Sequence, residues 1–148
     1  MLSLILHIRL MAWKRSCSLD AKSVKIKKLI AVFGSAGKRD IAKRKVFGEI
    51  ADQYCDLIIL TEDDPRDEDP KEIADQIKEG IKSTQNIFIE DRYEAIRQAV
   101  ENANEGDAIL LLGKGDESFI YRENGRAPWI GDNVAVKECI EKYTNQAA

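Results

Sequence analysis

Asp56-Leu57-Ile58-Ile59-Leu60-Thr61-Glu62-Asp63-Asp64-Pro65-Arg66-Asp67-Glu68-Asp69-Pro70 is the stretch on which the reading of this chain turns. From Asp56 to Leu60 it is a short apolar run rich in β-branched residues, the pattern of a buried strand. Asp69 is placed to cap a helix, and Pro70 suits the first helical position, where a missing N–H costs nothing. The helix is predicted from Lys71 to about Lys78, with Gly80 as its stop. Strand, acidic loop and helix in that order put Asp64 and Arg66 on a loop leaving the carboxyl end of a strand. In open α/β sheets that edge is where ligands bind. The plainer reading is a solvated turn whose acids suit a helix N-terminus. Arg66, set among acids and held by Pro65, argues for a functional loop.

The same alternation continues on both sides. Leu29 to Phe33 is an apolar strand running into the loop Gly34-Ser35-Ala36-Gly37-Lys38-Arg39-Asp40. A helix is predicted over 41–54, with Val46, Phe47, Ile50 and Tyr54 on its buried face. Residues 86–89 form a short strand, and Asp91 caps a helix over 92–102. Ala108 to Leu112 is the most hydrophobic strand, expected near the centre of the sheet, and it ends in Gly113-Lys114-Gly115-Asp116-Glu117. A hairpin is predicted from Phe119 to Trp129 around Glu123-Asn124-Gly125, and a last helix over 133–143. Strands alternating with helices imply βαβ units and a mostly parallel sheet. The predicted fold is one Rossmann-like α/β domain, residues 27–148, with helices on both faces.

At 148 residues the chain is the size of one domain with a real core. A net charge of −3 with 33% charged residues gives no electrostatic case for nucleic acid. Cys17, Cys55 and Cys139 are odd in number and lack ligand spacing, as expected of thiols in a reducing, cytoplasmic setting. His7 is the only histidine, which argues against a histidine triad or a His-rich metal site. In residues 1–26 the apolar run Leu2 to Leu6 is interrupted by His7, Arg9 and Lys14, well short of the ~20 residues a membrane span needs. No basic n-region or cleavage site marks a secretory signal. A poorly packed extension, helical in places, is expected there.

The loops after the first, second and fourth strands of the domain should converge on one sheet edge. Gly34 and Gly37 lack the third glycine of a dinucleotide fingerprint, and Gly37-Lys38-Arg39 lacks the Ser/Thr of a P-loop. Each glycine loop is as readily a tight turn as a ligand cradle. Together they offer Arg39, Lys43 and Arg66 to carboxylate or phosphate, and Asp64 and Glu117 to an ammonium. Both signs in one site suit a zwitterionic or polyionic small molecule. A dinucleotide-binding domain with Glu62 or Asp63 as the ribose acid is the competing reading, disfavoured by the incomplete glycine pattern.

Five stretches taken in order resemble the C-terminal domain of the Mur ligases: Val32 to Asp40, Lys43-Arg44, Asp63-Asp64-Pro65-Arg66, Asp91-Arg92-Tyr93-Glu94-Ala95-Ile96, and Gly113 to Glu117. The resemblance is closest to the MurE type, the UDP-N-acetylmuramoyl-tripeptide synthetases, and covers about residues 27–143. It implies a ligase of peptidoglycan biosynthesis that adds the third stem-peptide residue through an acyl phosphate, using ATP and magnesium. It also implies that this lobe supplies most of the amino-acid pocket and closes over an upstream ATP-binding domain, with no catalytic or metal-binding residue of its own. By position, the family's amino-acid-binding residues fall on Arg39, Asp64, Arg66, Gly113 and Glu117, and Asp40 and Lys43 would face the nucleotide. Arg66 favours meso-diaminopimelate over L-lysine, because an arginine can meet the distal carboxylate bidentately. Two positions depart from the family pattern: Asp64 stands for an asparagine and Asp116 for a histidine.

The resemblance covers no ATP P-loop, magnesium ligands or uridine-nucleotide domain. Read two bases later, with ordinary codons, Ile5 to Arg15 becomes Ile-Ala-Tyr-Ser-Pro-Asp-Gly-Leu-Glu-Lys, which resembles the end of the family's central domain. A frameshifted or mispredicted start is therefore expected, leaving a C-terminal lobe that is inactive alone. The alternative is a stand-alone module that binds a small charged ligand or a partner ligase domain.

Overall fold

The computed structural model describes the backbone of residues 4–8 and 26–147 and the side chains of residues 26–142. Strands β1 (Leu4–Ile8), β2 (Leu29–Phe33), β3 (Leu57–Leu60), β4 (Gln85–Phe88) and β5 (Ala108–Leu112) form one sheet in the order β1-β5-β2-β3-β4, parallel at every pairing. Helices α1 (Ile41–Tyr54) and α2 (Pro70–Lys78) pack on one face, α3 (Arg92–Asn102) and α4 (Asp132–Ala147) on the other. Strands β6 (Phe119–Arg122) and β7 (Gly125–Pro128) form a separate antiparallel hairpin.

Because both faces are covered, the strands are continuous apolar runs rather than alternating ones. Ala31, Phe33, Ile58, Leu60 and Leu110 pack toward α1 and α2, while Ile30, Val32, Ile59, Ile109 and Leu111 pack toward α3 and α4. The two helix caps read from sequence are made: Asp69 accepts from Lys71 N at 2.8 Å, and Asp91 from Glu94 N at 2.8 Å. Each satisfies a backbone donor that the first helical turn leaves unpaired.

One expectation is corrected, at Val46. Leu4–Ile8 is strand, and its backbone runs parallel to β5 from Leu4 opposite Ala108 to Ile8 opposite Leu112, while the rest of residues 1–25, where an extension helical in places is expected, lies outside the described residues. An apolar run supplies the backbone partners that the outer edge of β5 would otherwise lack. Cys17 lies outside the described residues. Val46 is 44% exposed, because the buried stripe of α1 runs through Arg44, Phe47, Gly48 and Ala51 instead. β5 is an interior strand as expected, paired on both sides and next to the middle strand β2.

Candidate functional site

The carboxyl ends of β2, β3 and β5 open into the loops of residues 34–40, 61–69 and 113–118, and the β6–β7 hairpin docks against the second. The first two loops interlock: Gly37 N donates to Asp64 O at 2.9 Å, and Arg66 Nη1 to Gly37 O at 2.8 Å. No side chain would fit at Gly37, where an added Cβ would stand 1.9 Å from the Pro65 carbonyl oxygen. The second loop meets the hairpin through Arg66 N to Tyr121 O at 3.0 Å and Tyr121 N to Asp64 Oδ1 at 2.9 Å. The Arg66 guanidinium lies 5.9 Å from the Tyr121 ring centre, within cation–π range.

At the junction of the second and third loops sits Lys114, 1% exposed. Its Nζ is 2.7 Å from Asp64 Oδ1, 2.6 Å from Glu117 Oε2 and 5.0 Å from the Phe119 ring centre. Burial works against the ammonium, but the bonds to Asp64 and Glu117 outweigh it and hold the Lys114 pKa above the ordinary lysine value. Lys114 thus neutralises one of two carboxylates and leaves the trio one net negative charge. Beneath it lies Asp63, pressed against Gly113, where an added Cβ would stand 2.3 Å from Asp63 Oδ2. Burial pushes the Asp63 carboxyl up to about 6, against the pull of Arg92. Gly113, at φ +112, therefore has a steric and conformational role in addition to any ligand contact.

Arg44 ties the first two loops together from below. It is 1% exposed and donates to Glu68 Oε2 at 2.9 Å, Gln76 Oε1 at 2.8 Å and Ala36 O at 3.0 Å. The Glu68 carboxylate also accepts from Lys38 N, and its pKa is lowered chiefly by the Arg44 bond.

Among the described residues, the non-glycine positions with left-handed backbone are Lys38, Asp40, Asp64 and Arg66, at φ between 46° and 58°. All lie in the first two loops. Each costs about 1–2 kcal/mol for an ordinary side chain and persists only where the surroundings enforce it. Such strain concentrates at functional sites, and here it turns Asp64 and Arg66 out of the strand direction.

The structure thus brings together Asp64, Arg66, Gly113 and Glu117 of the residues expected from sequence. Arg39, Asp40 and Lys43 are exposed on the first loop and the first turn of α1, where Lys43 Nζ pairs with Asp40 at 3.4 Å. Sequence reasoning missed Lys114, Arg44 and Tyr121; the signal for the two cations was present in the quoted motifs but carried no sign of burial. A cleft of about 350 Å³ opens beside Arg66 between the second loop and the hairpin, with Glu62, Glu90 and Arg122 on its walls. The dinucleotide alternative loses its ribose acids: Glu62 is 5% exposed with both oxygens engaged by Arg122, and Asp63 is buried. No cluster of His, Cys, Asp or Glu among the described residues is arranged to hold a metal ion, and no helix there is long and apolar enough to cross a membrane.

Residues 17–115 match the family model described as "Mur ligase, glutamate ligase domain". A "UDP-N-acetylmuramoyl-L-alanyl-D-glutamate--2,6-diaminopimelate ligase" of Aquifex aeolicus is 45% identical over 114 residues, 76% of this chain and 23% of that protein. A relative of the same name from Caldanaerobacter subterraneus is 54% identical over 92 residues, 61% of this chain and 19% of the relative. A "UDP-N-acetylmuramyl-tripeptide synthetase" of Borreliella burgdorferi is 44% identical over 117 residues, again 76% of this chain and 23% of the relative. A solved diaminopimelate ligase structure superposes with a TM-score of 0.84 at 32% identity, over 95% of this chain and 29% of that one. The chain spans about a quarter of the length of these relatives. It belongs to the Mur ligase family, and the part of that family it represents is the glutamate ligase domain.

Proposed function

We propose that the chain is the amino-acid-binding lobe of a cytoplasmic, ATP-dependent ligase that adds meso-diaminopimelate, in preference to L-lysine, to UDP-MurNAc-L-Ala-D-Glu. The observation that supports this is a loop at the carboxyl edge of a parallel sheet that carries both Arg66, which lines a cleft, and Asp64, which Lys114 joins to Glu117. A distal carboxylate on Arg66 and an ammonium on the trio would match the zwitterionic end of diaminopimelate. Asp64 in place of asparagine would by itself repel that carboxylate, by at most ~4 kcal/mol at ~4 Å and an effective dielectric near 20. Lys114 at 2.7 Å offsets that repulsion, which tips the balance toward the diacid.

ATP with magnesium, held by the upstream domain of the complete enzyme, would supply the phosphoryl group that activates the acceptor carboxylate. This lobe would hold and orient the incoming amine and exclude water as it closes on that domain. The 148 residues alone are expected to show no amino-acid-dependent ATP turnover, and measurable turnover would overturn that assignment. Selectivity is tested in a complete ligase carrying this lobe. Losing a partly solvated Arg–carboxylate pair costs about 2 kcal/mol, so Arg66→Ala should lower diaminopimelate addition relative to lysine addition by about 30-fold. An unchanged ratio would show that Arg66 is not the selector.

A further inference from the structure

Arg92 opens α3 at the exit of β4, yet its side chain ends under two loops of the site. It is fully buried and makes a bidentate pair with Asp132, Nε to Oδ1 at 2.8 Å and Nη2 to Oδ2 at 2.7 Å. Its remaining donors go to backbone: Nη1 to Glu62 O at 3.0 Å and Nη2 to Leu112 O at 2.8 Å. Those carbonyls directly precede Asp63-Asp64-Pro65-Arg66 and Gly113-Lys114-Gly115-Asp116-Glu117. Asp132 in turn donates its backbone N–H to Gly115 O at 2.9 Å. The base of Arg92 is itself anchored, since Thr61 Oγ1 donates to Glu90 O at 3.0 Å.

The sheet order explains why a side chain is needed. β2 lies between β3 and β5, so the two loops leave strands about 9–10 Å apart that share no ladder. The ladders through β2 space the two strands, but they end before Asp64 and Lys114, so no ladder bond fixes those loops against each other although the Lys114–Asp64 contact depends on it. A planar guanidinium with five donors in a fixed fork can grip one carboxylate and two carbonyls at once, and a lysine ammonium cannot.

We propose that Arg92, locked by Asp132, is the positioning residue that fixes the Asp64–Arg66 loop against the Lys114–Glu117 loop and so shapes the amino-acid pocket. The link to an amino acid rests on the function proposed above; the link to Lys114 does not.

The experiment uses the 148-residue chain and reads two signals: the ¹⁵N–¹H resonance of the Lys114 ammonium, and the dissociation constant for meso-diaminopimelate by calorimetry. Arg92→Lys keeps the charge beside Asp132 but loses the fork. The paired variant Arg92→Met with Asp132→Leu removes the strut and leaves no unpaired buried charge, a replacement that buried ion pairs often tolerate. Val100→Ala, on the buried face of the same helix, serves as a control for lost stability alone. The expected result is a Lys114 signal broadened or lost in both Arg92 variants, with diaminopimelate bound at least tenfold more weakly, and both readouts near wild type in Val100→Ala. A Lys114 signal unchanged by the Arg92 variants, or lost equally in Val100→Ala, overturns the proposal. Failure of both Arg92 variants to fold overturns it too, because the pair is then a folding element. If the wild-type chain binds no diaminopimelate at 10 mM (on the order of the weakest specific binding), the functional reading fails while the Lys114 signal still decides the role of Arg92.

Discussion

Replacing Asp63 by asparagine should stabilise the chain at neutral pH, against the usual direction for a change in a site. Asp63 is 8% exposed, lies against Gly113, and has no hydrogen bond to its carboxylate among the described residues. Burial raises its pKa from 3.8 to about 6, so the folded chain holds this proton more tightly than the unfolded one. The stabilising contribution of that proton is fully present below pH 3.8 and is lost as pH rises through about 6. At about 1.4 kcal/mol for each tenfold step, the ionised carboxylate costs about 3 kcal/mol at pH 7.5. An asparagine of the same shape carries no charge but leaves buried amide atoms to satisfy, at about 1–2 kcal/mol. Asp63→Asn is therefore expected to gain about 1–2 kcal/mol at pH 7.5 and to lose that advantage near pH 4.5. Urea unfolding at the two pH values measures both, and a ¹³C titration of the Asp63 carboxyl checks the pKa directly. A variant that is less stable at pH 7.5, or whose difference from wild type is the same at both pH values, would falsify the account of Asp63 as a buried acid whose desolvation outweighs the pull of Arg92 and Lys114.

Arg44→Met should cost about 3 kcal/mol, since it strips Glu68 of its buried partner and leaves the Ala36 carbonyl and Gln76 unpaired; a fall in Tm under about 3 °C would be too small for that role. Gly37→Ala forces a methyl to within 1.9 Å of the Pro65 carbonyl oxygen, and the strain of parting the two loops should cost about 1–3 kcal/mol by denaturant titration. A neutral result would mean the loops separate without strain. Lys114→Met should cost about 2 kcal/mol, less than a fully buried pair because Glu117 is 40% exposed. Because the Lys114 pKa is raised from 10.5, its stabilisation is present below that value and is lost only as pH rises through the higher folded pKa. The cost of Lys114→Met should then be constant between about pH 8 and 9, above the Asp63 titration and below the lysine range, and a steep change in that window would refute the charge arrangement.

Local chemistry made much of the architecture legible before any tertiary contact was known. Apolar strands, 3.6-residue helix periodicity, the Asp69 and Asp91 caps and the glycines closing each strand act within a few residues of chain. They placed α1, α2, α3, β3 and β5 correctly, and they put Asp64, Arg66, Gly113 and Glu117 on loops of the same sheet edge. The motif order gave the family for the same reason, being a linear property.

What the sequence could not assign is which charges are buried and with whom. Lys114 pairs with Asp64 from 50 residues away, Arg92 with Asp132 from 40, and Arg44 with Glu68 from 24. On paper each is one cation among many, indistinguishable from exposed Lys43 or Arg39, because burial depends on where the helices meet the sheet. The left-handed turns at Lys38, Asp40, Asp64 and Arg66 were equally hidden, since their side chains favour ordinary backbone and only the packed loops hold them otherwise. The order of the strands, which sets β2 between β3 and β5 and leaves a side chain to join their loops, is likewise a decision of the tertiary structure. Local propensities name the strands, but pairing between distant segments is settled only by which apolar faces can be covered together.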